Sequence, residues 1–170
     1  MTKIFLISDT HFGHANILTF RSRSGETLIR PGFNDIHHHD EVLIENWNRV
    51  VSPNDKVYHL GDIGFKNFTT LKQIFDRPHG NKVLIKGNHD NFKLSQYQQI
   101  FKDVRSYHVL DKFVLSHIPI HPDSVERWKA NIHGHLHDNI INDPRYVNVS
   151  VEQINFTPIN FEVIRKRFNV

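Results

Sequence analysis

Five short polar clusters, each placed directly after an apolar run, constrain this chain more than any other feature. They are Asp9-Thr10-His11, Gly61-Asp62, Gly87-Asn88-His89-Asp90, His117 and Gly134-His135-Leu136-His137. The preceding runs are Lys3 to Ser8, Lys56 to Leu60, Lys82 to Lys86, Lys112 to Ser116 and Ala130 to His133. They are short and rich in strand formers, as buried strands are. An α/β sheet gathers its strand ends along one edge, where such folds place their sites. Clusters far apart in the chain can therefore converge.

Between these runs, Val42, Leu43, Asn46, Trp47 and Val50 fall at helical spacing and predict a helix from Asp40 to Val51. Helices are also expected over Asn67 to Phe75, Leu94 to Phe101 and, more briefly, 14–20. Asn160 is placed to cap a last helix, Phe161 to Phe168, with Glu162 in its first turn. Further strands are expected over Arg105 to Leu110, parted from the next run by Asp111 alone, and over Tyr146 to Val151. Residues 21–36 lack periodicity and read as a long loop, a kind of segment that is often functional. Trp47, Phe68 and Phe101 are assigned to the core. Strand and helix alternate in the first half, which calls for a partly parallel sheet, and the second half is strand-rich. The expected fold is an α/β sandwich of mixed sheets, in one domain over 1–170 without repeats or linkers.

Composition removes several function classes. The chain has 170 residues and no cysteine, which excludes disulfides, thiolate zinc sites and cysteine nucleophiles. No stretch approaches the roughly 20 apolar residues of a membrane span. No targeting segment is recognisable either, and a cytoplasmic location is expected. The net charge of +3 permits a phosphate-bearing ligand without demanding nucleic acid. The unusual count is 14 histidines, and histidine is the commonest metal ligand.

The residue types in the five clusters suit a dinuclear metal site. Carboxylate and imidazole fit borderline divalent ions, manganese first, with iron, zinc or nickel also compatible. Two such ions roughly 3.5–4 Å apart clamp the attacking and leaving oxygens of an in-line displacement and need an anionic bridge. Asp62 is the natural bridge. In Asp9-x-His11 and His135-x-His137, side chains two apart on an extended segment share a side and can reach the centre together. Glycines 61, 87 and 134 let the backbone turn tightly beside it.

The ordered set Asp9-x-His11, Gly61-Asp62, Gly87-Asn88-His89-Asp90, His117 and Gly134-His135-x-His137 resembles the calcineurin-like metallophosphoesterase superfamily over residues 9–137. No core position departs from that pattern. The resemblance implies one metal held by Asp9, His11 and His137, a second by Asn88, His117 and His135, and Asp62 between them. It implies attack on phosphorus by a metal-bound hydroxide, His89 as transition-state stabiliser or proton donor, and Asp90 as the carboxylate that orients His89. It also implies two mixed sheets packed together with helices outside.

Other polar residues read more plainly. His37-His38-His39 point in different directions on a helix and are expected to form its solvated start. His14 is expected to contact substrate, support the metal shell or simply pack. His59 is expected to be structural or to support a ligand. His121, four residues beyond His117, could compete with it as a ligand. Arg21, Arg23 and Arg30 in the long loop match phosphate oxygens, although loop arginines are commonly solvated. The function expected is hydrolysis of a small, nucleotide-like phosphate ester, a diester slightly favoured over a monoester. A nuclease with a polymeric substrate and a non-catalytic interaction scaffold are the alternatives. The charge permits nucleic acid without indicating it, no membrane partner is expected, and oligomeric state is silent.

Overall fold

The computed structural model describes residues 2–170. It contains two mixed sheets. The first is built from β1 (Ile4–Ile7), β2 (Lys56–His59), β3 (Asn81–Ile85), β4 (Asp103–Arg105) and β9 (Ile159–Asn160), in the order β4-β3-β2-β1-β9. Its first four strands are parallel and β9 is antiparallel to β1. The second has the order β5-β6-β7-β8, from Tyr107–Leu110, Phe113–Ser116, Ala130–His133 and Tyr146–Asn148. There β5 is antiparallel to β6, and β6, β7 and β8 are parallel. The expected α/β sandwich of mixed sheets is thus observed. Among the described residues, no helix is long and apolar enough to cross a membrane.

The period of two along each strand sets the layers. From β1, Phe5 and Ile7 point to one face and Leu6 to the other; Val57 and Leu84 join the first face, and Tyr58, Val83 and Ile85 the second. The first face packs on α1 (Ile36–Val50) and α2 (Phe68–Phe75) through Leu43, Ile44, Trp47, Leu71 and Phe75. The second packs on Phe113, Leu115, Ala130, Ile132 and Val147 of the other sheet. α5 (Phe161–Arg167) adds Phe161 and Ile164 to the core between the sheets. Burial on both faces explains why β1 to β3 read as apolar runs rather than alternating ones.

Several boundaries differ from the sequence reading. α1 begins at Ile36, not Asp40, because Asp35 caps it, its side chain accepting from the His38 N–H at 2.8 Å. The helix expected over Leu94 to Phe101 shortens to the single turn α3 (Leu94–Tyr97), and a second single turn, α4, covers Pro122–Val125. The run Arg105 to Leu110 is two strands: β4 ends the first sheet at Arg105, and β5 opens the second at Tyr107. A run of strand formers does not show which sheet a residue joins, so the switch at Ser106 was unreadable. The short helix near 14–20 is a 3₁₀ segment, Ala15–Thr19. Asn160 caps α5 as expected, accepting from the Glu162 N–H at 2.9 Å. Trp47 and Phe101 are buried, while Phe68 is half-buried against Phe92.

Candidate metal centre

The polar clusters follow β1, β2 and β3 of one sheet and β6 and β7 of the other. The two sheets meet beside them. Ser8 forms a parallel bridge with Ser150, and its N–H donates to the Val149 carbonyl at 2.9 Å. The loops after β1 and β2 are tied together by bonds from Asp9 N–H to Gly61 O (3.0 Å) and His11 N–H to Asp62 O (3.1 Å). His59 fastens them from below. It is buried, lies 2.9 Å from the Thr10 hydroxyl, and its Nδ1 accepts from the Gly61 N–H at 3.2 Å. Burial pushes its pKa down to about 3, so the ring is neutral.

Two groups of donor atoms result: Asp9, His11 and His137 in one, Asp62, His117 and His135 in the other. In the first, Asp9 Oδ2 is satisfied by the His135 N–H and the Ser150 hydroxyl, each at 2.9 Å. Asp9 Oδ1 and His11 Nε2 are buried without a hydrogen-bond partner. Asp9 Oδ1 lies 3.8 Å from His11 Nε2 and 4.0 Å from His137 Nε2. Burial alone would raise the Asp9 carboxyl pKa; the histidines around it, His11 first, outweigh that and hold it low. Burial keeps the pKa of His11 down. His137 is pulled the other way, because the Glu152 carboxylate outweighs the burial that disfavours its charge.

In the second group, His117 Nδ1 lies 2.7 Å from the Leu60 carbonyl, which assigns the proton to that nitrogen. A neutral ring then presents a lone pair at Nε2, yet that atom faces two more acceptors, Asn88 Oδ1 at 2.9 Å and Asp62 Oδ2 at 3.4 Å. Such an arrangement calls for a positive charge between the atoms. Burial works against charge on His117, and Asp62 outweighs it, so its pKa is raised. Burial, with the nearby His117, keeps that of His135 down. Asp62 Oδ1 accepts from the His89 N–H at 2.9 Å, while Oδ2 also lies 3.8 Å from His11 Nε2. Asp62 therefore stands between the groups. Donor atoms around a divalent ion at about 2.0–2.2 Å sit roughly 3–4 Å from one another, so the orphaned atoms and their spacing fit divalent cations.

The reason these side chains converge differs from the one expected. Asp9, His11, His135 and His137 are not on extended segments. All four have left-handed backbone, with φ of 58°, 49°, 69° and 51°, as does Asp62 at 55°. The glycines also divide by cause. Gly61, at φ 97°, needs the left-handed region. Gly87 and Gly134 need only the missing Cβ: one at Gly87 would run into the Asp62 carboxylate, and one at Gly134 into Ser8 Oγ and Asp9 Oδ2.

Asp90 does not orient the His89 ring. It is buried, and its carboxylate accepts from the backbone N–H groups of Gly87 (2.7 Å), Asp62 (3.0 Å) and Ile63 (3.0 Å). Its role is to clamp the β2 and β3 loops together. His89 is exposed at the rim, its ring 5.1 Å from that of Phe65. Phe65, absent from the sequence reading, also lies 4.1 Å from His14 and 5.3 Å from His11, ring to ring. His14 is half-buried there, its ring nitrogen 3.3 Å from that of His11; burial, then the His11 charge, pushes its pKa down to about 4.

Arg30 does not stand in solvent as a loop arginine would. It is 1% exposed and its guanidinium is fully engaged beneath the site. Nε donates to Glu152 at 2.8 Å, Nη1 to the Thr10 carbonyl at 3.1 Å, and Nη2 to the Asp9 carbonyl. Nη1 also lies 2.9 Å from His39 Nε2. His39 is accordingly buried, not part of a solvated helix start, and its other nitrogen is 2.9 Å from Asp40 Oδ1. Arg21 and Arg23 are exposed by comparison; Arg21 folds back on the Gly25 carbonyl at 3.2 Å. His121 is an exposed helix cap and lies outside both donor groups, whereas His117 belongs to the second. Glu152 is the other residue that sequence reasoning missed. It follows β8, a strand run with no polar motif after it, and lies 2.9 Å from His137 Nδ1.

No protein-family model matches the chain. It is 35% identical over 175 residues to the uncharacterized protein MJ1445 of Methanocaldococcus jannaschii, an alignment covering 98% of this chain and 91% of that protein. The gene 66 protein of Mycobacterium phage L5 is 28% identical over 176 residues, covering 83% of this chain and 80% of the phage protein. Among solved structures, the protein of unknown function AQ665 from Aquifex aeolicus has a TM-score of 0.75 at 26% identity, covering 98% of this chain and 100% of that one.

Proposed function

The chain belongs to the family of the Methanocaldococcus jannaschii protein MJ1445, and from its strand-end geometry we propose that it is a dinuclear-metal-dependent phosphoesterase acting on a small phosphate ester. The observation that carries this reading is the position of Asp62: one carboxylate oxygen within 3.8 Å of His11 in the first donor group and 3.4 Å of His117 in the second. Asp9, His11 and His137 would hold one ion and Asn88, His117 and His135 the other, with Asp62 placed between the two groups. Manganese is the first choice, with iron, zinc or nickel served by the same ligands. When bound, such a pair supplies Lewis acidity at phosphorus and lowers the pKa of water to about 7.

The remaining steps belong to the chain's own groups. Asp62 draws the His89 backbone N–H onto its Oδ1, which fixes the residue whose ring stands at the rim. From there His89 donates a proton to the leaving oxygen, a task suited to imidazole. Glu152 and the Leu60 carbonyl hold the Nδ1 protons of His137 and His117, which turns both Nε2 lone pairs inward. A diester is preferred over a monoester on the resemblance of the ordered motifs alone. Against a nuclease, Arg77, Arg105, Arg145 and Arg165 are each paired with local carboxylates rather than lining a groove.

The test is hydrolysis of a chromogenic phosphodiester and its monoester by metal-stripped protein reloaded in turn with manganese, nickel, zinc or magnesium. The expected result is a metal-dependent rate, abolished in Asp62→Ala and lowered about 10²–10⁴-fold in His89→Ala. No rate with any metal, from folded protein, would overturn the enzymatic reading; full activity in Asp62→Ala would overturn the bridge.

A further inference from the structure

A cleft of about 500 Å³ opens beside the donor cluster, and two of the proposed ligands, Asn88 and His117, form part of its wall. That volume lies within the roughly 300–1,000 Å³ of small-molecule sites. The rest of the lining is of another kind. Val114 and Ile120 supply an aliphatic surface, Tyr107 and Trp128 aromatic rings, and Lys86 a cation. Tyr107 is 63% exposed and Trp128 half-exposed, so neither ring is consumed by the core. At the rim of the donor cluster the Phe65 ring is stacked on His14 and lies 5.1 Å from the His89 ring.

We infer that this cleft seats the nucleoside portion of the phosphate-ester substrate, with Tyr107 and Trp128 as the specificity-determining residues. The inference rests on the phosphoesterase reading and names the substrate class for it. The cleft adjoins the place where a phosphate would bind, because Asn88 and His117 belong both to the donor cluster and to the cleft wall, so an ester group on that phosphate has a walled space to enter. The group that follows must then match a surface with exposed π faces, a flat aliphatic patch and positive charge beside it. A planar base on a sugar phosphate does so: bases stack on aromatic side chains whatever their identity, and Lys86 favours an anionic ligand. A bare sugar phosphate would use the charge and leave the rings unused.

The test is binding of uncleavable phosphonate analogues of AMP and of ribose 5-phosphate to the manganese-loaded full chain, by calorimetry and tryptophan fluorescence. The chain has only two tryptophans and Trp47 is buried, so Trp128 is the reporter. The AMP analogue is expected to bind at least about tenfold more tightly, within what one stacked base contributes, and to quench the emission. Tyr107→Ala, at an exposed position, and Trp128→Ala should each reduce the gap without changing ribose phosphonate binding. Equal affinity for the two ligands, or a gap untouched in both variants, overturns the inference. Chromogenic diester turnover, run in parallel, separates the failures. Turnover with no base preference sinks the cleft assignment alone, and absence of turnover with every metal sinks the phosphoesterase reading beneath it.

Discussion

Replacing Glu152 by Gln should damage the fold and the proposed metal centre at once. Glu152 is 3% exposed in its side chain and accepts at Oε1 from Arg30 Nε (2.8 Å) and His137 Nδ1 (2.9 Å). Gln keeps the shape and an acceptor oxygen but removes the one carboxylate that, among the described residues, pairs with the buried guanidinium. Leaving one member of a buried pair without its counter-charge costs about 3–5 kcal/mol. Because Gln retains an oxygen, the lower end applies, about 3 kcal/mol. A chain this long loses about 2–4 °C per kcal/mol, so Tm should fall by about 6–12 °C. Burial raises the Glu152 pKa, but Arg30 and His137 outweigh it and hold it below its ordinary value. A depressed folded pKa means stability present above the unfolded value, about 4.3, and lost as pH falls through the folded one. The gap between wild type and Glu152→Gln should therefore be full at pH 7 and close below about pH 4. Manganese affinity, read by calorimetry, should drop about 10–100-fold because His137 loses its orienting carboxylate. A Glu152→Gln chain within about 0.5 kcal/mol of wild type in urea, with unchanged manganese affinity, would refute the reasoning on both counts.

Three further outcomes follow from the same geometry. Gly87→Ala sets a Cβ against the Asp62 carboxylate and its backbone nitrogen; metal stoichiometry, measured by elemental analysis, should fall, and full loading would mean that the loop yields. Asp90→Asn should lower Tm, since buried N–H groups lose a carboxylate acceptor at about 1–3 kcal/mol each, yet leave the alkaline limb of the pH–rate profile, where a proton donor is lost, in place because Asp90 bonds no atom of His89; a moved alkaline limb would restore it as a partner of that histidine. Arg77→Ala removes an exposed fork onto Glu41 with both bonds at 2.6 Å. It should cost less than about 1 kcal/mol in urea denaturation, and a loss well above that would show a stronger pair than its exposure allows.

The strands that carry the proposed ligands were legible because they are buried on both faces or end abruptly in polar residues. What escaped was set by tertiary context. The chain passes from one sheet to the other at Ser106 within a run that reads as one strand. β9 is two residues long and overlaps the cap of α5, so no pattern could announce it. The start of α1 was readable in principle from Asp35, but the three histidines after it look polar, and only the burial of Arg30 explains why His39 turns inward.

The proposed ligands were legible as side chains, and their backbone was not. Five of them, Asp9, His11, Asp62, His135 and His137, occupy the left-handed region. Each such residue costs about 1–3 kcal/mol, which together rivals the 5–15 kcal/mol net stability of an ordinary domain. The cost is opposed locally. Asp9 and His11 donate their N–H groups to the Gly61 and Asp62 carbonyls, His135 donates to the Asp9 carboxylate, and Arg30 holds the Asp9 and Thr10 carbonyls from below. Asp, Asn and His are also the non-glycine residues that tolerate this region best. The types that suit a divalent ion are thus the types that permit the turn. That coincidence hid the backbone geometry, since Asp-x-His reads equally well on an extended segment. It also explains why Arg30 and Glu152, which carry no motif, matter as much to the cluster as the residues that do: they hold the strained loops that aim those residues inward.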